Sequence, residues 1–136
     1  MFNMRRNQNI SVGKRGEDEA VRFFKKQGFK ILERNYRYSR YEIDFIAQNK
    51  EFLVFVEVKS RSCKSPEDMP FGTPAVAVDK NKMKYLIFAA EAYMMEHPYG
   101  ALQPRNDVVE IYFDNNPDVS KKKILKINHF PNAFGK

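Results

Sequence analysis

The chain has 136 residues, 43% hydrophobic and 30% charged, with a net charge of +7, as expected for one soluble globular domain. No run approaches the roughly 18–20 apolar residues of a membrane span, and residues 1–6 lack a signal-peptide pattern, so we expect a cytoplasmic protein with no membrane partner. A single cysteine excludes an internal disulfide and a cysteine zinc site. The two histidines, His97 and His129, are far apart, and we expect both at the surface.

Apolar periodicity and turn residues predict two helices and five strands in the order α-β-β-β-α-β-β. In chain order the elements are a helix over 11–27, a strand over 29–33, a hairpin of 41–48 and 51–60, a loop over 61–73, a helix over 74–96, and strands over 105–113 and 123–127. The prediction is an α/β fold with a mixed β-sheet flanked by helices. Because the long second helix connects the third and fourth strands, we expect those strands to be parallel.

The predicted hairpin carries charge where buried strands should be apolar. With a two-residue turn at Asn49-Lys50, facing residue numbers sum to ninety-nine, so Ile43 faces Val56 and Phe45 faces Val54. That side of the ribbon is apolar. Alternation of side chains places three acids and one lysine on the other side: Glu42, Asp44, Glu57 and Lys59. A bulge would turn Glu42 outward.

Like charges that face each other destabilise a sheet, so a bound cation is one way to resolve this cluster. Mg²⁺ or Mn²⁺ takes oxygen ligands from one or two carboxylates, with waters and substrate phosphate completing the shell. A neighbouring lysine can orient or deprotonate a bound water, or stabilise developing negative charge. The pattern therefore predicts a phosphodiesterase centre at Asp44, Glu57 and Lys59. The alternative is a structural ion cluster of Lys59, Glu57 and Asp44 at the sheet edge. In both interpretations Lys59 is expected to be the only nearby positive partner of the two acids.

The positive charge is confined to one end of the chain. Residues 1–40 hold eleven Lys and Arg against four Asp and Glu, whereas residues 41–136 hold thirteen of each. This asymmetry favours an anionic partner, nucleic acid and DNA in particular. A solvated helix face with a basic arm, a membrane surface, or ribosomal RNA would fit the charge as well. We expect residues 1–10 to be a flexible basic arm and residues 11–136 to be a single domain.

Several motifs in series resemble the YraN-like family of predicted endonucleases, over roughly residues 11–134. The similar stretches are GKRGEDEA at 13–20, EIDFIA at 42–47, FVEVKSR at 55–61, Phe71-Gly72, Lys82, RNDVV at 105–109 and HFPNAF at 129–134. That family is assigned to the restriction-endonuclease-like PD-(D/E)XK superfamily and is similar to archaeal Holliday-junction resolvases. The resemblance implies a nuclease-like domain with the restriction-endonuclease-like fold.

The resemblance also implies roles for individual residues. Asp44 and Glu57 match metal ligands, Lys59 matches the catalytic lysine, and Glu17 matches a helix-borne acid of the active site. Arg105 and Asp107 match a structural pair at the start of a strand. The basic N-terminal third and this resemblance together give six candidate nucleic-acid contacts: Arg5, Arg6, Lys14, Arg15, Arg61 and Lys82.

Two positions depart from the family pattern. Tyr41 stands where the family usually has glycine, and Asn106 replaces a phenylalanine. A glycine at position 41 would permit a closer approach of nucleic acid. We interpret the sequence as a Mg²⁺-dependent endonuclease acting on DNA, with branched or flapped DNA as the substrate class. The alternative is a non-catalytic nucleic-acid-binding or assembly module on the same fold. The sequence is compatible with a homodimer.

Overall fold

The computed structural model describes residues 10–65, 67 and 80–135. In this range the elements follow the predicted order α-β-β-β-α-β-β. They are α1 (Val12–Lys26), β1 (Lys30–Tyr38), β2 (Tyr41–Gln48), β3 (Phe52–Ser62), α2 (Lys80–Glu96), β4 (Gln103–Phe113) and β5 (Ile124–Phe130), with a short 3-10 helix at Val119–Lys121. Arg5, Arg6, Phe71-Gly72 and the predicted helical residues 74–79 lie outside the described residues.

The five strands form one mixed sheet in the order β1-β2-β3-β4-β5. Strands β3 and β4 are parallel, and the other neighbouring pairs are antiparallel. The prediction of a mixed sheet with parallel third and fourth strands is therefore confirmed. Within the described residues, neither helix is long and apolar enough to cross a membrane.

A hydrophobic core lies on each face of the sheet. On one face, Ala20, Val21 and Phe24 of α1 pack with Phe45 of β2. On the other face, residues of α2 pack with strand residues; the α2 members are Leu86, Ala89, Ala90 and Tyr93. Each fully buried large apolar side chain contributes about 1.5–3 kcal/mol, so the two cores hold the helices against the central strands.

Helix α1 begins and ends as its sequence predicts. The Ser11 side chain accepts a hydrogen bond from the N–H of Lys14 at 3.0 Å, and Gly28 follows the helix with φ +92°. Gly16 lies directly on β3, where a Cβ would come 1.7 Å from the Oγ of Ser60. Only a glycine allows this approach, which places the next residue, Glu17, beside the sheet.

The lengths of some elements differ from prediction. Strand β1 was predicted to end at Glu33 but pairs with β2 as far as Tyr38↔Tyr41. Its second half contains arginines and an asparagine, and these polar residues hide the apolar alternation by which a strand is predicted. Strand β5 extends to Phe130 instead of Ile127, and β3 continues to Ser62 into the predicted loop.

The predicted register of the β2–β3 hairpin is wrong, because the turn lies one residue later in the chain than predicted. The Asn49 side chain accepts hydrogen bonds from the N–H groups of Glu51 and Phe52, at 2.9 and 2.8 Å, and this moves the turn to Lys50-Glu51. The strands pair as Phe45↔Val56, so facing numbers sum to one hundred and one. Because this sum differs by two from the predicted sum, the residues paired in this ladder keep their predicted sides of the ribbon.

The predicted apolar side of the hairpin is interrupted at Asp44. Phe45 belongs to the core beneath α1, whereas Ile43 belongs to the core beneath α2 and does not face Val56. The main-chain pairing between β2 and β3 begins at Phe45↔Val56, so residues 41–44 of β2 are not part of it. Departure from a straight ribbon explains why Ile43 changes face.

Both histidines are partly buried, which contradicts the prediction that they lie at the surface. His97 stacks on Tyr93 with ring centroids 4.0 Å apart. His129 Nε2 donates to the fully buried Asp107 at 2.7 Å, and Arg105 donates two hydrogen bonds of 2.8 Å to the same carboxylate. The predicted structural pair of Arg105 and Asp107 is confirmed, with His129 as a third member.

Candidate active site

Asp44 and Glu57 line one cleft of about 450 Å³. Strand β2 provides Asp44 and β3 provides Glu57, while the first turns of α2 close the opposite wall. The lining residues are Arg40, Tyr41, Glu42, Asp44, Glu57, Asn81, Lys82, Tyr85 and Leu86. The structure thus brings together the two acids that the sequence predicted as metal ligands, and Glu42 joins them.

Glu57 is the most buried acid of the cleft, with 6% of its surface exposed. Its Oε1 atom accepts a hydrogen bond from Lys82 Nζ at 3.0 Å and lies 3.6 Å from Lys59 Nζ. Its Oε2 atom is buried and has no hydrogen-bond partner within the described part of the chain. A buried carboxylate oxygen without a partner is costly, so this atom is a candidate ligand for a cation.

Asp44 is held by the main chain of the neighbouring strand. Its Oδ2 atom accepts a hydrogen bond of 2.7 Å from the N–H of Val58. Burial and the negative charge of Glu57 together raise the pKa of Asp44 to about 7, because the hydrogen bond from Val58 opposes them only in part. Two carboxylates that share a cleft cannot both ionise easily, and a divalent cation would relieve that repulsion.

Two lysines approach Glu57, which corrects the prediction that Lys59 is the only positive partner. Burial lowers the pKa of Lys59, and its neighbour Lys82 lowers it further. Burial also acts to lower the pKa of Lys82, but the charge of Glu57 outweighs it and the net shift is upward. Lys82 therefore carries the more firmly held proton, whereas Lys59 is the better candidate for accepting one.

Glu17 reaches the cleft region through a polar bridge that the sequence did not reveal. Arg34 donates to Glu17 at 3.1 Å. With its amide nitrogen turned toward the acids, Asn35 donates to Glu17 at 3.2 Å and to Glu42 at 2.8 Å. Asn35 has φ +55°, a conformation that asparagine tolerates better than most residues. The charge of Glu17 also acts to raise the pKa of Asp44, so the helix-borne acid does lie near the centre.

The predicted nucleic-acid contacts have different surroundings. Lys14 and Arg61 are exposed, and Lys14 forms an ion pair with Asp18 at 3.3 Å. Arg15 instead binds within the fold, where it donates to the carbonyl oxygens of Val119 and Lys122 at 2.8 Å each. Lys82 lies in the cleft on Glu57, as described above.

The donor set of the cleft is compatible with Mg²⁺. The described residues contain no group of three His, Cys, Asp or Glu side chains placed to hold a metal ion. Mg²⁺ nevertheless requires only one or two carboxylates, with water and substrate oxygens as the remaining ligands. Asp44 and the buried Oε2 of Glu57 supply such a pair.

The sequence profile described as "Uncharacterised protein family UPF0102" matches residues 16–111. The chain is 38% identical over 131 residues to a UPF0102 protein of Caldanaerobacter subterraneus subsp. tengcongensis, covering 96% of this chain and 100% of that protein. It is 42% identical over 110 residues to a UPF0102 protein of Chloroherpeton thalassium, covering 81% of each chain. A UPF0102 protein of Syntrophotalea carbinolica is 36% identical over 127 residues, covering 93% of this chain and 94% of that protein. Glu17, Asp44, Glu57 and Lys59 all fall inside the matched range.

Proposed function

The chain belongs to the uncharacterised, YraN-like protein family UPF0102, and we propose that it is a Mg²⁺- or Mn²⁺-dependent endonuclease of the PD-(D/E)XK type. Its substrate would be DNA, in particular branched or flapped DNA. The observation that carries this proposal is the pair of carboxylates in the cleft, because Glu57 has one buried oxygen that meets no hydrogen-bond partner among the described residues. In a purely structural ion cluster, each buried carboxylate oxygen is expected to have a hydrogen-bond or ion-pair partner within the protein.

In this proposal Asp44 and Glu57 hold the divalent ion. When bound, the ion would neutralise negative charge on the phosphate and lower the pKa of a coordinated water. Lys59 would face the scissile phosphate from beside Glu57, and its lowered pKa suits it to take a proton from the attacking water. Lys82, held as an ammonium by Glu57, would stabilise the negative charge that develops on the phosphate oxygens.

The experiment is a panel of labelled branched, flapped, single-stranded and double-stranded DNAs incubated with Mg²⁺ or Mn²⁺. The variants are Asp44→Asn and Lys59→Ala. Glu51→Gln and Lys50→Ala make matched charge changes in the exposed turn of the same hairpin. We expect cleavage of at least one substrate, a loss of about 100-fold or more in the two site variants, and no loss in the turn variants.

Metal binding should also be visible without cleavage. An ion that binds the folded state stabilises it, so millimolar Mg²⁺ should raise the melting temperature of the wild type and not of Asp44→Asn. A wild-type melt indifferent to both metals, together with no cleavage in the panel, would reject the enzyme.

A second candidate, a nucleic-acid-binding module without catalysis, is favoured by the charge of the N-terminal third. Three basic side chains of α1 and β1 project into solvent and could follow a phosphate backbone: Lys14, Arg22 and Arg37. Salt-sensitive binding of DNA without cleavage in either metal would favour this second function over the first.

A further inference from the structure

Two tyrosines stack against each other at the candidate active site. The rings of Tyr41, at the start of β2, and Tyr85, on α2, have centroids 3.9 Å apart and planes 11° apart. Both line the same cleft as Asp44 and Glu57. The Nε of Arg40 donates to the Tyr41 hydroxyl at 3.3 Å, which places a cation at the hydroxyl end of that ring.

This pair lies outside the hydrophobic cores on the two faces of the sheet. Tyr36 and Tyr93 also meet, but both are buried in the core beneath α2. Tyr41 and Tyr85 are only partly buried and belong to neither described core. The guanidinium of Arg40 also lies over the Tyr41 ring, 5.6 Å from its centroid, so the face of Tyr85 that is turned away from Tyr41 is the one that a base would use.

An aromatic face beside a phosphate-binding site is suited to a nucleobase. Bases stack on tyrosine with little dependence on sequence, and cations around the ring can meet the adjoining phosphates. Arg40 and Lys82 also line the cleft and supply such cations. Within a continuous duplex both faces of a base are already stacked, so only an unpaired base can reach a protein ring without the cost of unstacking.

We propose that Tyr41 and Tyr85 form a stacking platform for one unpaired nucleobase next to the phosphate that a divalent ion at Asp44 and Glu57 would hold. The substrate class is therefore DNA with an unpaired strand at the cleavage position, rather than continuous duplex. This inference rests on the proposed nuclease function for the position of the scissile phosphate, but its test measures binding and not cleavage.

The test is a double-mutant cycle between protein and DNA, measured by fluorescence anisotropy in EDTA. A labelled flapped duplex is compared with the same duplex carrying abasic sites in the flap nucleotides next to the junction. The proteins are the wild type, Tyr85→Ala, and Tyr41→Phe, which keeps the ring. Phe88→Ala is the matched control, because Phe88 is an exposed aromatic residue of the same helix that does not line the cleft.

We expect the wild type and Tyr41→Phe to bind the abasic flap about 10-fold more weakly than the intact flap. Tyr85→Ala should bind the intact flap about 10-fold more weakly than the wild type and should not distinguish the two DNAs. Phe88→Ala should behave as the wild type. A wild type indifferent to the abasic sites would overturn the proposal even if Tyr85→Ala did not fold. The proposal would also be overturned if folded Tyr85→Ala distinguished the intact flap from the abasic flap as strongly as the wild type does.

The outcomes separate the platform from the nuclease. If cleavage depends on Asp44 but the effects of Tyr85→Ala and of the abasic sites on binding are independent, the platform is rejected and the enzyme is retained. Coupling in the cycle, without cleavage in Mg²⁺ or Mn²⁺, supports the platform as a binding site and favours the nucleic-acid-binding module over the enzyme.

Discussion

The carboxylate of Asp44 accepts a hydrogen bond of 2.7 Å from the backbone N–H of Val58. Val58 lies between Glu57 and Lys59, so this one bond fixes the acid of β2 against the acid and the lysine of β3. It occurs just beyond Phe45↔Val56, where the backbone ladder between the two strands begins. A side chain thus replaces main-chain pairing at the candidate site, and an asparagine could accept the same hydrogen bond.

Asp44 should make the stability of the metal-free protein depend on pH. Its pKa is raised from 3.8 to about 7, so the folded state binds the proton more tightly than the unfolded state. The stabilisation is therefore fully present below about pH 4 and is lost as the pH rises through about 7. Relative to wild type, Asp44→Asn should gain about 2–4 kcal/mol in free energy of unfolding between pH 4.5 and 8. Urea denaturation in EDTA at several pH values measures this, and parallel pH profiles for the two proteins would contradict it.

The two lysines on Glu57 should compensate for one another. Lys59→Ala or Lys82→Ala leaves the other cation in place, and each should cost no more than about 1 kcal/mol. The double variant leaves a buried carboxylate without a positive partner and should cost about 3 kcal/mol or more. Lys84→Ala, an exposed lysine on the same helix, is the control. Urea melts that show purely additive losses would mean that the lysines act on Glu57 independently.

Gly16 should be required for the packing of α1 on β3. An alanine Cβ would meet the Ser60 Oγ at 1.7 Å, so helix and strand must move apart at a cost of about 1–3 kcal/mol. Gly13→Ala is the matched control, because its nearest atom is 3.9 Å away and alanine favours helix. We expect Gly13→Ala to be neutral or stabilising by up to about 1 kcal/mol. Equal thermal stability of the two variants would show that α1 and β3 can move apart without a loss of folding free energy.

Lys14 and Arg15 are adjacent but should have different roles. Arg15→Ala removes hydrogen bonds to two main-chain carbonyl groups and should cost about 1–3 kcal/mol of folding stability. Lys14→Ala should leave stability nearly unchanged and, if Lys14 binds a phosphate, reduce the slope of log K against log salt for duplex DNA by about 0.9. Melting curves and anisotropy titrations at several salt concentrations separate the two effects. An unchanged slope in Lys14→Ala would remove this lysine from the DNA contact surface.

The site was predictable from sequence where it depends on strand parity. Alternation along β2 and β3 predicted that Asp44, Glu57 and Lys59 lie on one side of the hairpin. The turn was predicted one residue too early, but this error changes the sum of facing residue numbers by two and therefore does not exchange the two sides. The error arose at Asn49, whose side chain competes for the turn N–H groups. The hydrogen bonds of the turn therefore determined which residues of the two strands face each other, whereas the alternation of side chains determined on which side of the sheet each one lies.

The sequence by itself determined the element order, the parallel pairing of β3 and β4, and the convergence of two acids, because these follow from periodicity and short connections. Only the tertiary structure decided what surrounds those acids. Lys82 and Tyr85 come from a helix distant in the chain, and Asn35 joins Glu17 to Glu42 from a strand whose polar residues resembled a loop. Contacts between elements distant in sequence depend on how the helices pack on the sheet, and no local pattern of residues records that packing.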